Sequence, residues 1–347
     1  MARVYLDHNA TAPLRPEAKA AMMSAMDVVG NPSSVHIEGR AAKSLMEKSR
    51  DQIAEALGAG NADIVFTSGA TESAALALAG RDLKGSGIEH DAVGAWIDEV
   101  LPADPMGQVF VTDPENSTLQ LANSETGIIQ KLPNGLAVSD VTQAIGRLPF
   151  AYSWAGVEMV LASAHKIGGP KGVGVLIIPQ GYDLIAHQRG GGQERGRRAG
   201  TENLIGIAGF AAALTAAQTD LANGRWDEIA QLRDQLEARI ADAAPDTIFI
   251  GKGANRLPNT TAFVTPGWKG ETQVMAMDLA GFAISAGSAC SSGKVKASKV
   301  LRAMGFGEDD GACMARVSLG LDTTSDQVDA FAAAWIDRYK KMRARAA

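Results

Sequence analysis

The sequence predicts an α/β protein, with a large domain built on a mainly parallel sheet covered by helices and a smaller α+β domain after it. Three observations carry this. Apolar runs ending in polar residues alternate with helical stretches between residues 63 and 179, the order expected where helices cover a parallel sheet on both faces. A chain of 347 residues is too long for one simple core, so two lobes are expected. After a long helical stretch the texture changes to short strands interleaved with helices. The division is expected near residue 220, with residues 14–220 as the large domain and residues 1–13 and 221–347 as the small one.

The elements follow in order. From about residue 16 to residue 58 the pattern is helical; "SLMEKSRDQIAEALG" is amphipathic, and Gly58 ends it. "DIVFTSGATESAALALAG" reads as strand, turn of small residues, helix. Residues 80–118 are compact and rich in Gly and Pro, and strands are expected at "GQVFVT" and "STLQLAN". "GLAVSD" and "VEMVLASAHK" are apolar runs that each end in a polar residue, and "GVGVLIIP" is a further buried strand. "TAAQTDLANGRWDEIAQLRDQLEARIADAA" is expected to form a long helical crossing between the lobes. "NTTAFVT", "GFAIS" and "ARVSLGL" are short strands among helices around Glu271–Leu279, Ala297–Met304 and Ser325–Arg345.

Composition bounds the function. Hydrophobic residues make up 46% and charged residues 21%, ordinary for a soluble globular protein. The formal net charge is −6 with Lys and Arg dispersed, which argues against nucleic acid or an anionic membrane as the main partner. The N-terminal segment lacks the apolar run of a signal peptide, and no uninterrupted apolar stretch reaches about 18 residues. The two cysteines, Cys290 and Cys313, form no disulfide framework and fit no metal-ligand spacing, so no metal site and a reducing, cytoplasmic setting are expected. Five histidines without HExxH, and no GxxxxGK[ST], set aside a zinc hydrolase and a P-loop.

Several strand ends carry polar residues suited to one ligand. In "TSGATES", Gly69, Ala70 and Thr71 offer backbone N–H groups and a hydroxyl at a helix N-terminus, either a phosphate seat or a plain Thr N-cap. "SDVTQ" puts Asp140 at a strand end with Gln143 three residues on; a carboxylate buried there needs a cationic or N–H partner. "ASAHKIGGPKG" sets Ser163, His165 and Lys166 at another strand end. That lysine is either a solvated terminal charge or an amine kept out of water, whose lowered pKa exposes a nucleophile. A phosphate seat, a carboxylate for a ring nitrogen and an amine for an aldehyde together describe pyridoxal 5′-phosphate (PLP).

"YLDHNAT", "SGATES", "ANSETG", "SAHKIGGPKGVG", "GGGQERGRRAGTEN", "SAGSACSSG" and "ARVSLG" occur in the order found in the cysteine desulfurases. By these motifs, spread over nearly the whole chain, the sequence resembles the NifS-like branch of the class V aminotransferases, fold-type I PLP enzymes whose large domain carries a sheet of the seven-stranded type. The resemblance implies that Lys166 carries the internal aldimine and moves protons on the substrate, and that His90, in "GIEHDAV", stacks on the pyridine ring. It implies that Asp140 pairs with the ring nitrogen and Gln143 with the phenolic oxygen. Ala70, Thr71, Ser163 and His165 would hold the phosphate, with Thr201 arriving from the partner subunit of a homodimer. Arg316 would bind the substrate carboxylate, helped by Asn123. Family members read Asn-Asn-Glu where this chain has Asn123, Ser124 and Glu125, so the cofactor contact of the second Asn falls here to the shorter Ser124.

A cysteine among small residues in "SAGSACSSGK" is otherwise read as a small inert hydrophobe. By the resemblance, Cys290 takes sulfur from L-cysteine as a persulfide, leaves alanine, and passes the sulfur to an acceptor or iron–sulfur scaffold protein, with a transient cluster shared with that scaffold as a further implied role. Gly287, Ser288, Ser291, Ser292 and Gly293 would form its flexible tether within a mobile loop at about 285–296, and Lys294, Lys296 and Lys299 would favour the thiolate. Cys313 is read as a structural or incidental thiol. The alternatives are a class V relative acting on another amino acid, such as a selenocysteine lyase or an aminotransferase-like enzyme, and a catalytically degenerate PLP-fold scaffold.

Overall fold

The computed structural model describes residues 3–287 and 297–346. In chain order the strands are β1 (Val4–Tyr5), β2 (Ala62–Thr67), β3 (Lys84–Ser86), β4 (Asp98–Leu101), β5 (Leu136–Asp140), β6 (Val157–Ser163), β7 (Gly174–Pro179), β8 (Ile248–Phe249), β9 (Thr260–Val264), β10 (Phe282–Ala283), β11 (Ser285–Ala286) and β12 (Met314–Ser318). The large sheet is centred on β2–β7–β6–β5. These four are near-continuous apolar runs because helices cover them on both sides. β5 and β6 are parallel, whereas β7 opposes both β6 and β2.

Beyond β5 the sheet continues through extended residues 117–121. Leu119 N–H donates to Val138 O at 3.2 Å and Leu121 N–H to Asp140 O at 2.9 Å, while Thr118 N–H reaches Lys84 O of β3 at 2.8 Å. β3 pairs in parallel with β4. Counting the 117–121 segment, the sheet has seven strand positions, and among the described residues β7 alone runs against the rest.

Two expectations change. "GQVFVT" alternates as a strand should, with Val109 and Val111 buried and Phe110 exposed, yet it forms only an isolated antiparallel bridge, Val109 to Ala103, and joins no strand of the large sheet. On its other edge Val109 N–H donates to Gln130 Oε1 at 3.0 Å, and Gln130 Nε2 donates to Gly107 O at 2.6 Å, so a side-chain amide stands where a second strand would. The long helical crossing is two helices, Leu204–Ala222 and Arg225–Ala243, broken where Gly224 takes φ +69°. Only glycine enters that left-handed region without a steric penalty, and the chain turns there. Helix Leu204–Ala222 packs against helices Pro16–Met26 and Ile37–Ala56. Among the described residues it is the one helix long and apolar enough to cross a membrane, and half of it is buried inside the fold.

The second sheet, β11–β12–β9–β8, is antiparallel, and β1 pairs with β10 beside it. Its core centres on the fully buried Trp335, edge-on to Phe263 at 5.6 Å and stacked with Tyr339 at 5.4 Å. The Trp335 indole N–H donates to Gln273 Oε1 at 3.0 Å, which lets a polar atom stay in an apolar core.

The loop carrying "GGGQERGRRAG" is held in strained backbone, with Glu194 and Arg195 at φ +47° and +57°. Non-glycine residues stay in that region only where contacts over-determine them. Here the buried Glu194 carboxylate receives both Arg50 Nη groups, at 2.9 and 3.0 Å, and the Phe66 N–H at 2.9 Å. Glu194→Ala would leave Arg50 only Glu47, at 3.1 Å, and the Ile64 carbonyl, and would strip the buried Phe66 N–H of its acceptor, and we expect urea unfolding to show a loss of about 1–3 kcal/mol.

Candidate active site

A cavity of about 660 Å³ opens at the carboxyl ends of β2, β5 and β6, where parallel sheets gather their ligands. Its first wall is the turn from β2 into helix Ala70–Leu78. Gly69, the residue before the helix, has φ +155°, and no side chain caps the helix start. Thr71 is therefore not the N-cap, and the first-turn amides are left for a ligand. β7 comes so near this turn that a Cβ on Gly174 would lie 2.7 Å from Gly69 Cα. Ala70, Thr71 and, from the end of β6, Ser163 line this end of the cavity.

Lys166 follows one turn after β6. Its Nζ donates to the carbonyls of Asn9 at 2.8 Å and Ala10 at 2.9 Å. Burial lowers its pKa to about 8, and the nearby guanidinium groups of Arg316 and Arg147 push the same way. Of the two sequence-level alternatives the structure shows the desolvated amine. His165 beside it is lowered to about 4, first by burial and then by Lys166 and Lys171, so its ring is neutral at ordinary pH; its Nδ1 sits 3.2 Å from Thr11 Oγ1.

Asp140 ends β5 and accepts the Thr142 N–H at 2.8 Å. Gln143 also lines the cavity; its Nε2 donates to Asn9 O at 3.0 Å and its Oε1 accepts from Arg147. His90 borders the cavity from the short helix Asp91–Gly94, which it caps by accepting the Ala92 N–H on Nδ1 at 3.1 Å. That acceptor role puts the proton of the neutral ring on Nε2. Ser124 lines the cavity too, while its carbonyl accepts from Arg316 Nη1 at 2.9 Å and Asn9 Nδ2 at 3.2 Å.

Four expected residues stand apart from this cavity. Asn123, expected at the substrate, is buried and is not among the cavity's lining residues: Oδ1 accepts the N–H groups of Glu125 and Thr126 at 2.9 and 2.8 Å, and Nδ2 donates to Ile88 O at 2.9 Å. Its amide builds the turn that presents Ser124. Arg316 lies behind Ser124, paired with Asp7 at 2.7 Å, and its buried Nε has no partner among the described residues. Thr201 is exposed and does not line the cavity of its own chain. Cys290, with Lys294 and Lys296, lies outside the described residues. Lys299, expected to favour the thiolate, is engaged by Asp91 at 2.6 Å. Cys313 is a buried free thiol whose pKa burial raises.

Sequence inspection missed two residues at the site. Asn9, inside "YLDHNAT", is buried and joins both sheets: it donates to Thr260 Oγ1 at 2.8 Å and to Ser124 O, and its carbonyl receives Lys166 and Gln143. Glu89, directly before His90, is fully buried; Oε1 accepts the Gln120 N–H at 2.8 Å and Oε2 has no partner among the described residues. Burial, joined by the nearby Asp140 charge, raises its pKa to about 8. The one available signal was an acidic residue between an apolar residue and a histidine in "GIEHDAV".

The raised pKa has a sign that can be measured. Unfolded Glu89 releases its proton near pH 4.5 and the folded residue near 8, so between these values the folded state holds the extra proton. Its contribution is complete below about pH 4.5, falls as pH rises towards 8, and is level above. Glu89→Gln, which keeps the acceptor for Gln120, should flatten that part of the stability–pH curve, measured by chemical denaturation at pH 5 and pH 8. An unchanged slope would refute the buried, protonated carboxyl.

Comparison with known proteins agrees with this geometry. A family model described as aminotransferase class-V matches residues 4–91 and 108–331. The unmatched residues 92–107 fall within the Gly- and Pro-rich segment of residues 80–118. A cysteine desulfurase from Cereibacter sphaeroides is 36% identical over 95% of this chain and 94% of its own length. The cysteine desulfurase IscS of Dictyoglomus turgidum is 33% identical over 94% and 92%. The solved structure of a NifS-like protein from Rickettsia africae superposes with a TM-score of 0.88 at 31% identity, covering 97% of this chain and 99% of that one. With fold, cavity and relatives in agreement, the chain belongs to the class-V aminotransferases, in their NifS-like cysteine desulfurase branch.

Proposed function

We propose that this protein is a PLP-dependent cysteine desulfurase that converts L-cysteine to L-alanine and passes the sulfur, held as a persulfide on Cys290, to an acceptor protein in iron–sulfur cluster or thio-cofactor assembly. The observation that carries this is the Lys166 amine, desolvated and held by two carbonyls at one cavity with a carboxylate and an uncapped helix start. The donor set fits the cofactor. The Ala70–Leu78 helix start with Thr71, Ser163 and His165 suits the phosphate, Asp140 the pyridine nitrogen, and Gln143 and Ser124 the phenolic oxygen. Thr142 lines the same cavity, and its buried Oγ1 has no partner among the described residues. When bound, PLP supplies an aldehyde for the lysine and a ring that withdraws electrons from the substrate.

The chain's own groups do the rest. The lowered pKa of Lys166 lets its nitrogen take and return protons near neutral pH. His90, its ring oriented through Nδ1, would cover the pyridine ring when the cofactor is bound. Arg316, by the family resemblance, would take the substrate carboxylate once its guanidinium exchanges Asp7 and the Ser124 carbonyl for it. In net terms the Cys290 sulfur forms an S–S bond with the substrate sulfur, the substrate Cβ–S bond breaks, and the carbon gains a proton.

The reading extends to the assembly. The chain divides near residue 220, and it works as a cytoplasmic homodimer in which Thr201 reaches the partner's phosphate. The exposed Val29, Val35 and Ile37, at 90%, 87% and 71%, support an apolar contact between copies.

Feeding L-cysteine with a reductant and measuring sulfide and alanine tests the proposal. Sulfide from Cys290→Ala should fall to background, and equal sulfide from wild type and variant would overturn it. In the same assay Asp140→Asn should lower the rate by about 100-fold, because a carboxylate that stabilises developing charge is typically worth that much.

A further inference from the structure

Arg147 is a fully buried guanidinium with no carboxylate within ion-pair distance among the described residues. A buried charge without a counter-ion is expensive. Burial, with Arg316 nearby, lowers its pKa to about 10, so it still carries its charge at neutral pH. The donors go to two residues of the cavity: Nη2 to Lys166 O at 2.9 Å, and Nη1 to Gln143 O at 3.1 Å and to Gln143 Oε1. Its far face lies 6.0 Å from the Trp226 ring, whose own N–H is tied to Gly146 O at 2.6 Å.

On that side is a second cavity of about 320 Å³, which Arg147 and Lys166 both line. The acidic Asp220 there is bonded to Arg15 at 2.6 Å and makes no ion pair with Arg147.

We infer that Arg147 is a positioning residue: it fixes the backbone of Lys166 and the amide of Gln143 as one unit and holds an uncompensated positive charge behind the Lys166 nitrogen. The charges that act on that nitrogen are Arg316 from β12, Asp140 from β5, Asp7 from the N-terminal segment and Arg147 from the turn after β5, with the neutral His165 beside it in the chain. Asp7 is engaged by Arg316 and Asp140 by the Thr142 N–H. Arg147 is the cation of this set whose charge no carboxylate offsets. It favours the neutral nitrogen, the form that attacks an aldehyde, and it does so without touching substrate or cofactor.

The inference rests on PLP being bound as proposed above, and the test separates the two. The visible absorbance of the bound cofactor is titrated against pH in wild type, Arg147→Gln, Arg147→Met and Arg147→Lys. The neutral variants should move the midpoint upward by about one pH unit, the usual size of a nearby-charge effect. Arg147→Lys should restore it. A purely structural role would leave the midpoint in place even if cofactor binding weakened. An unmoved midpoint in either neutral variant that folds, or an equal shift in Arg147→Lys, would overturn the inference. A wild type with no cofactor band would overturn the cofactor assignment itself, and this inference with it.

Discussion

The contact on which this site depends is between an amine and two backbone carbonyls. Lys166 points into its cavity because Asn9 O and Ala10 O accept from its Nζ, and those carbonyls are in place because residues 7–12 are bound on both sides. Asn9 N–H donates to Ser318 Oγ at 3.0 Å in β12 of the small sheet, and Ala12 N–H donates to His165 O at 2.9 Å beside the large one. Asn259 Nδ2 completes the set by donating to Asn9 Oδ1 at 3.1 Å. A buried amide with every atom paired is stiff, since moving it would leave several polar groups unsatisfied at once.

The charges around the cavity share one logic. The carboxylate of Asp7 and the guanidinium of Arg316 pair where the two sheets meet, and Ser298 donates to the buried Glu125, whose pKa burial raises. Ser298 also accepts the Leu301 N–H and so starts helix Lys299–Ala303. Lys299 continues the chain of contacts to Asp91, one residue past His90. The segment after the Cys290 stretch is thereby linked to the element that presents the histidine. Most of these pairs are sheltered from water, where an unpaired member costs far more than a paired one gains.

Much of the architecture was legible from pattern. β2, β5, β6 and β7 are apolar runs bounded by turn residues, and their polar terminal residues gather at the cavity because strand ends converge there. Legibility failed where a side chain replaced a backbone partner, as Gln130 does for Val109, and where one glycine turned a helix back, as Gly224 does. Neither event leaves a periodic trace: the first depends on a residue 21 positions away, and the second on one glycine inside an otherwise continuous helical pattern. Asn123 shows the same limit. The family resemblance implied a substrate contact for Asn123, but its amide is committed to the Glu125 and Thr126 N–H groups, a fact of local geometry.

Residue type and order by themselves determined which groups this protein has to work with: a lysine and an aspartate at strand ends, small residues at a helix start, and apolar runs that had to be buried together. Tertiary structure decided what those groups became. The lysine's lowered pKa, the buried proton of Glu89 and the unpaired charge of Arg147 all come from loss of water and from neighbours distant in sequence. Desolvation and Coulomb forces act through space, so a linear sequence states the charges but not the distances between them.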